Sequence, residues 1–309
     1  MQRTKRLWAG LCAPALATAM IAGCSGDKAA SSSGGKPPVT TGGGTGKGSA
    51  ASGGEKIAVE AKDTATIKGK ISFDGTPPAG KDIKAEMNKH ADHDLCLAGD
   101  TSDQTWIVGA DKGVANVVVW VKAPEGKYLA TPAAKQAQTK KVTMDQPFCA
   151  FVPHVVAFDP TFYDAVSKKQ KKTGEIFEVL NSSSKNHNTT WSGDKLINSG
   201  GNEIIKSKGA AYVVDAVPSK ADAAGKEDLI NISCDIHKWM TGKAAVFDHP
   251  FYAVTDKNGN FEIKDVPAGS ELVLCYWHES MDPNSLKGAK KENITLKAGE
   301  TSVKEFKVK

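Results

Sequence analysis

Most of the periodic segments of this chain repeat apolar residues at every second position, in short runs rich in Val, Ile, Phe and Tyr and cut by Gly, Pro and Asn. A period of two puts one face of an extended segment against a core and the other toward solvent, so the pattern predicts short strands rather than helices. The expected strands are 66–73, 116–122, 150–158, 175–180, 211–214, 229–233, 244–247, 251–255, 261–264, 271–277, 293–296 and 303–308. Helical periodicity is scarce, and only 81–90 and 161–171 are expected to hold a short helix each. The fold class is therefore all-β.

Not all of the chain can join that fold. Residues 1–23 carry a basic head, Arg3, Lys5 and Arg6, then an apolar run too short for a permanent membrane span, which reads as a secretory signal. Ile21-Ala22-Gly23-Cys24 resembles a bacterial lipobox. The resemblance implies that Cys24 becomes the lipidated first residue of an exported protein in the cell envelope, on the periplasmic or outer-membrane face. Residues 24–60 begin with a Gly- and Ser-rich stretch lacking apolar periodicity, a flexible tether to that lipid. Loss of the three basic residues lowers the formal charge from +5 to +2, and no basic stripe follows, so a nucleic-acid partner is not expected.

Export permits disulfides. With Cys24 lipidated and Cys234 reserved for a metal, Cys96 and Cys149 are a possible pair and Cys275 is the odd thiol, although spacing alone does not show proximity.

The last stretch contains FYAVTDKNGNFEIKDVPAGSELVLCYWHE. Asn258-Gly259 between two strand-like runs predicts a tight hairpin, and Pro267-Ala268-Gly269 predicts the next turn. This resembles the second half of a carboxypeptidase-regulatory-like domain, a transthyretin-like β-sandwich. The first half of the same pattern is similar to 67–75 and 113–121. The resemblance implies halves at 61–122 and 249–309 with a second β domain, 123–248, between them. Two consecutive domains with a boundary near His249-Pro250 are the alternative; insertion is preferred because a surface loop tolerates it.

Within 123–248 lies CDIHKWM, Cys234 to Met240, with C-x2-H-x2-M spacing. A mononuclear electron-transfer copper site needs a thiolate, two imidazoles and a weak thioether, so that Cu(I) and Cu(II) are held with little movement. Cys234, His237 and Met240 supply three of the four. The loop resembles that of the cupredoxins, the blue type 1 copper proteins, and its spacing is most similar to amicyanin. The resemblance implies a Greek-key β-sandwich and a first His from an earlier strand, followed by Asn. Here 175–181 leads to Asn186-His187-Asn188, so His187 takes the first-ligand role and Asn188 that of the residue tying the two ligand loops. His154, in Val152-Pro153-His154, is the possible alternative ligand, but His187 lies nearer Cys234 in sequence.

Zinc accepts the same thiolate and imidazoles, but a thioether is a poor ligand for it, so Met240 favours copper. The seven histidines lack the H-x-H and H-C-H patterns of multicopper enzymes, and no catalytic residue is assigned: the chain is not expected to be an enzyme. His90 and His93 are a weaker pair, read as a solvated loop rather than a second metal site. The expected function is one-electron transfer with redox partner proteins through a small transient interface. The alternative is an envelope binding or copper-storage protein whose site does not cycle.

Overall fold

Two sheets of the chain share one core although their strands lie far apart in sequence. The computed structural model describes residues 56–195, 197–214, 224–225 and 227–309. The expected signal, Cys24 and nearly all of the tether lie outside the described residues. The described secondary structure is mostly strand, and the chain is all-β with two short helices, α1 (Ile83–Met87) and α2 (His93–Leu97).

A three-stranded sheet runs Asn260–Pro267, Thr64–Phe73, Thr301–Val308, and a four-stranded sheet runs Tyr252–Val254, Val118–Lys122, Glu271–Trp277, Lys290–Thr295. Ile67, Ile71 and Ile263 of the first meet Val119, Val121, Leu272 and Leu274 of the second in one apolar cluster. Strands before residue 123 thus pair with strands after 251, for example Trp120 with Tyr252 and Ile67 with Ser302.

The intervening chain forms its own pair of sheets. One has five strands in the order Gly201–Ile205, His187–Ser192, Asp228–Ser233, Thr241–Val246, Val155–Phe158; the other has Ala210–Val214, Ile176–Asn181 and Lys141–Asp145. Their core gathers Phe158, Ile230, Ile232 and Val246 against Met144, Phe177 and Val179.

A third cluster joins the two sheet pairs. Along Val118–Lys122 the odd residues enter the first core, whereas Val118 and Trp120 pack with Leu229, Ala245, Phe247, Cys275 and Trp277. Alternation then places apolar side chains on both faces, which is why this strand reads as a continuous apolar run. The odd thiol, Cys275, is buried there, and burial pushes its pKa up to about 12.

Two local expectations need correcting. Over 161–171 there is no helix: Thr161–Asp164 and Lys169–Lys172 pair antiparallel. The carboxylate of Asp164 accepts from the N–H and hydroxyl of Ser167, Lys168 takes φ 54°, and the ring of Tyr163 packs on Tyr128, so turn chemistry and aromatic packing win. The turn at Asn258-Gly259 does form, with Gly259 at φ 77°, but its flanking strands pair within different sheets. It carries the chain across the core, and a Cβ on Gly259 would lie 2.2 Å from the carbonyl oxygen of Ile71.

Candidate metal centre

The strand Asp228–Ser233 ends where the loop 234–240 begins, and Thr241–Val246 starts where it ends. Ser233 pairs with Thr241 across the loop, and inside it the N–H of Cys234 donates to Met240 O at 3.2 Å and the N–H of Met240 to His237 O at 2.9 Å. A loop closed this tightly fixes the directions of Cys234 and His237. His187 opens the neighbouring strand His187–Ser192, whose Thr190 pairs with Ser233, so the two segments emerge side by side.

Asn188 fastens them. Its Oδ1 accepts the backbone N–H of Asp235 at 2.6 Å and of Ile236 at 3.3 Å, and lies 3.2 Å from Cys234 Sγ. Its Nδ2 donates to Thr190 Oγ1, Asn202 Oδ1 and Asp235 Oδ2 at 3.0–3.1 Å. Gln146 Nε2 donates to the carbonyl of Asn188 at 3.3 Å from the opposite sheet.

His187, Cys234 and His237 are buried, and their ligand atoms lie within 4.8 Å of one another. The two Nδ1 atoms face each other at 3.0 Å, and His237 Nδ1 is 3.9 Å from Cys234 Sγ. Two nitrogens and a sulfur around one tetrahedral ion, at metal distances of about 2.0 and about 2.3 Å, would sit roughly 3.3 and roughly 3.6 Å apart. The observed separations fit that geometry to within a few tenths of an ångström. Met240, also buried, belongs to the same apolar cluster as Cys234.

Electrostatics favour the metal-binding form. Burial, then the neighbouring His237, lowers the pKa of His187 to about 4; burial, then His90, lowers that of His237, and Asp92 opposes the shift. Both shifts favour the neutral ring, which offers a lone pair rather than a charge. Such a donor set could hold a soft or borderline ion, zinc or copper.

His154 stands apart from this cluster. Its Nδ1 donates to Thr241 O at 3.0 Å and its Nε2 lies 2.7 Å from Glu279 Oε1, so both nitrogens are engaged. Cys96 and Cys149 form a disulfide, which closes beside the site: both sulfurs and a ring nitrogen of His237 fall within 4.8 Å.

Two neighbours were not legible in sequence. His90 packs against His237 with ring centroids 4.6 Å apart and the planes tilted by 54°, and Asp92 Oδ2 lies 3.3 Å from His237 Nε2. His93 instead turns to His90 O and Asp94. The signal in sequence is the clustering of ligand-type side chains in His90-Ala91-Asp92-His93, and nothing in it names His237 as their partner. Comparison with protein-family models and with curated proteins gives no match to this chain.

Proposed function

We propose that the chain is an exported copper protein that transfers single electrons through a mononuclear site of His187, Cys234, His237 and Met240. One observation carries the reading: a thiol and two buried imidazoles converge from the loop 234–240 and the start of the strand His187–Ser192, which Asn188 locks together. When bound, copper supplies a one-electron couple, and the thioether of Met240 is what favours it over zinc. Cys234 and the two rings would hold the ion, and Asn188 would keep the loops from shifting between oxidation states.

The proposed architecture is a cupredoxin domain, 123–248, inserted into a carboxypeptidase-regulatory-like sandwich, 61–122 with 249–309. It is supported by the pairing of strands before 123 with those after 251 and by the separate sheets formed between them. A lipid on Cys24 and a tether to about residue 60 would keep the protein at the envelope membrane, within reach of redox partner proteins.

A second reading is favoured by one feature. Neither His187 nor His237 has exposed surface, which suits a protein that retains copper without cycling. Optical and electron-paramagnetic-resonance titration of the mature chain with Cu(II) decides the first question. An intense thiolate-to-copper band, lost in Cys234→Ser and His187→Ala, is expected; its absence from reduced wild-type protein rejects the copper reading. Voltammetry separates the two roles, since reversible cycling supports transfer and its absence supports storage.

A further inference from the structure

We infer that Asp92 is the positioning carboxylate of this metal centre: it keeps the proton of His237 on Nε2, so that Nδ1 is presented to the metal. The inference rests on the copper reading for its redox consequence, but its geometric core concerns the metal-free chain as well.

The ring of His237 has two nitrogens with different neighbours. Nδ1 faces His187 Nδ1 at 3.0 Å, on the side of Cys234. Nε2 is buried, makes no hydrogen bond of good geometry, and lies 3.3 Å from Asp92 Oδ2. For Nδ1 to donate its lone pair, Nε2 must carry the proton, and a carboxylate against that N–H fixes the tautomer and makes the ring a better donor.

Asp92 is itself held for this task. Lys185 Nζ binds its other oxygen, Oδ1, at 2.8 Å and leaves Oδ2 facing His237. Lys185 lies two residues before His187, so one carboxylate spans the approaches to both imidazole ligands. The N–H of Asp92 donates to His90 Nδ1 at 3.1 Å, and the His90 ring packs edge-on against Trp239.

The segment also closes the site. Asp92 sits between α1 and α2, and the disulfide from Cys96 to Cys149 ties α2 to the chain beside the loop 234–240. Met87 and Cys96 join the same apolar cluster as Cys234 and Met240. His237 has no exposed surface, and Asp92 is the polar group set against its Nε2 edge.

The test uses the full mature chain, with Asp92→Asn, Asp92→Glu and Lys185→Met beside wild type. In the metal-free protein at pH 7, nitrogen NMR of the His237 ring is expected to show the Nε2–H tautomer in wild type and a mixture in Asp92→Asn. With copper, Asp92→Asn is expected to keep the thiolate band, bind Cu(II) about 10- to 100-fold more weakly and shift to higher potential. Asp92→Glu should recover part of the affinity, and Lys185→Met should fall between Asp92→Asn and wild type. An unchanged tautomer in Asp92→Asn overturns the inference, even if wild type proves to bind no copper. So does wild-type copper affinity and potential in that variant. Titration with Co(II) supplies a further check: a second equivalent bound by copper-loaded wild type and lost in Asp92→Asn would make Asp92 a ligand and overturn the positioning role. Absence of the thiolate band in wild type rejects the copper reading alone and leaves the tautomer measurement to judge Asp92.

Discussion

Asn188 grips Asp235 at both ends, taking its backbone N–H on Oδ1 at 2.6 Å and donating from Nδ2 to its carboxylate at 3.0 Å. The contact spans from a strand to the loop that carries three candidate ligands, Cys234, His237 and Met240, and it is made by a residue whose side chain is nearly all buried. Thr190 and Asn202 complete the arrangement by donating to the same carboxylate at 2.9 and 2.8 Å. The site is therefore shaped by hydrogen bonds before any ion enters it.

Replacing Asn188 by Ala removes the acceptor of the Asp235 and Ile236 N–H groups. Leaving such donors unsatisfied costs about 2 kcal/mol. Urea denaturation of the metal-free variant should show that loss, and the same variant should bind Cu(II) more weakly. Wild-type stability in Asn188→Ala would mean that the loop is held by its strand ends alone.

The disulfide gives a second expectation. Cys96 and Cys149 are separated by 53 residues, a loop long enough for removal of the bridge to cost about 4 kcal/mol. Cys96→Ser with Cys149→Ser should unfold at lower urea concentration. Hydrogen exchange should rise first over α1 and α2, with the strands Asp228–Ser233 and Thr241–Val246 still protected. Equal exchange in the two proteins would show that apolar packing through Met87 suffices to hold the segment.

How much of this was legible in the residues depends on what each strand buries. Thr64–Phe73 and the start of Asn260–Pro267 declare themselves because buried Ala65, Ile67, Ile71 and Phe73, and likewise Phe261 and Ile263, alternate with polar or small residues. His187–Ser192 reads HNTTWS and escapes such a search, since Asn188 and Thr189 are buried through hydrogen bonds and sheet pairing rather than as apolar groups. The C-x2-H-x2-M loop is local and could be read directly. The approach of Asp92 to His237 is not local: it depends on α2 being tied to Cys149, and neither partner of that bridge announces the other in sequence. Tight turns were visible at Asn258-Gly259, but which sheet each flanking strand would join was not, because a turn motif fixes the local bend and leaves distant pairing to the core.

His154 offers a direct contrast with His187. Its Nε2 contacts Glu279 at 2.7 Å with little exposure of either side chain, and its Nδ1 holds Thr241 O, one residue past Met240. His154→Ala is expected to keep the thiolate-to-copper band while losing about 3 kcal/mol of stability, because Glu279 is left buried without this partner. Loss of the band at unchanged stability would instead make His154 a ligand.

Asp159 and Glu175 set a pH dependence where the two sheet pairs meet. Asp159 N donates to Glu175 Oε2 at 2.7 Å, and Tyr252, from the four-stranded sheet, donates its hydroxyl to Asp159 Oδ1 at 2.6 Å. Burial, then the adjacent Glu175, raises the pKa of Asp159 from 3.8 to about 8. Between those two values the folded chain keeps a proton that the unfolded chain has released. Stability from this group is thus full below about pH 4 and declines as the pH rises toward about 8. Asp159→Asn carries no such proton, and its Oδ1 can still accept from Tyr252. Urea midpoints measured from pH 5 to pH 8 should fall more steeply for wild type than for Asp159→Asn, with the variant gaining on wild type at the alkaline end. Parallel curves would show that Asp159 is ionised in the folded chain throughout, with its charge balanced by Gln138, Lys140 and Tyr252 around the pair.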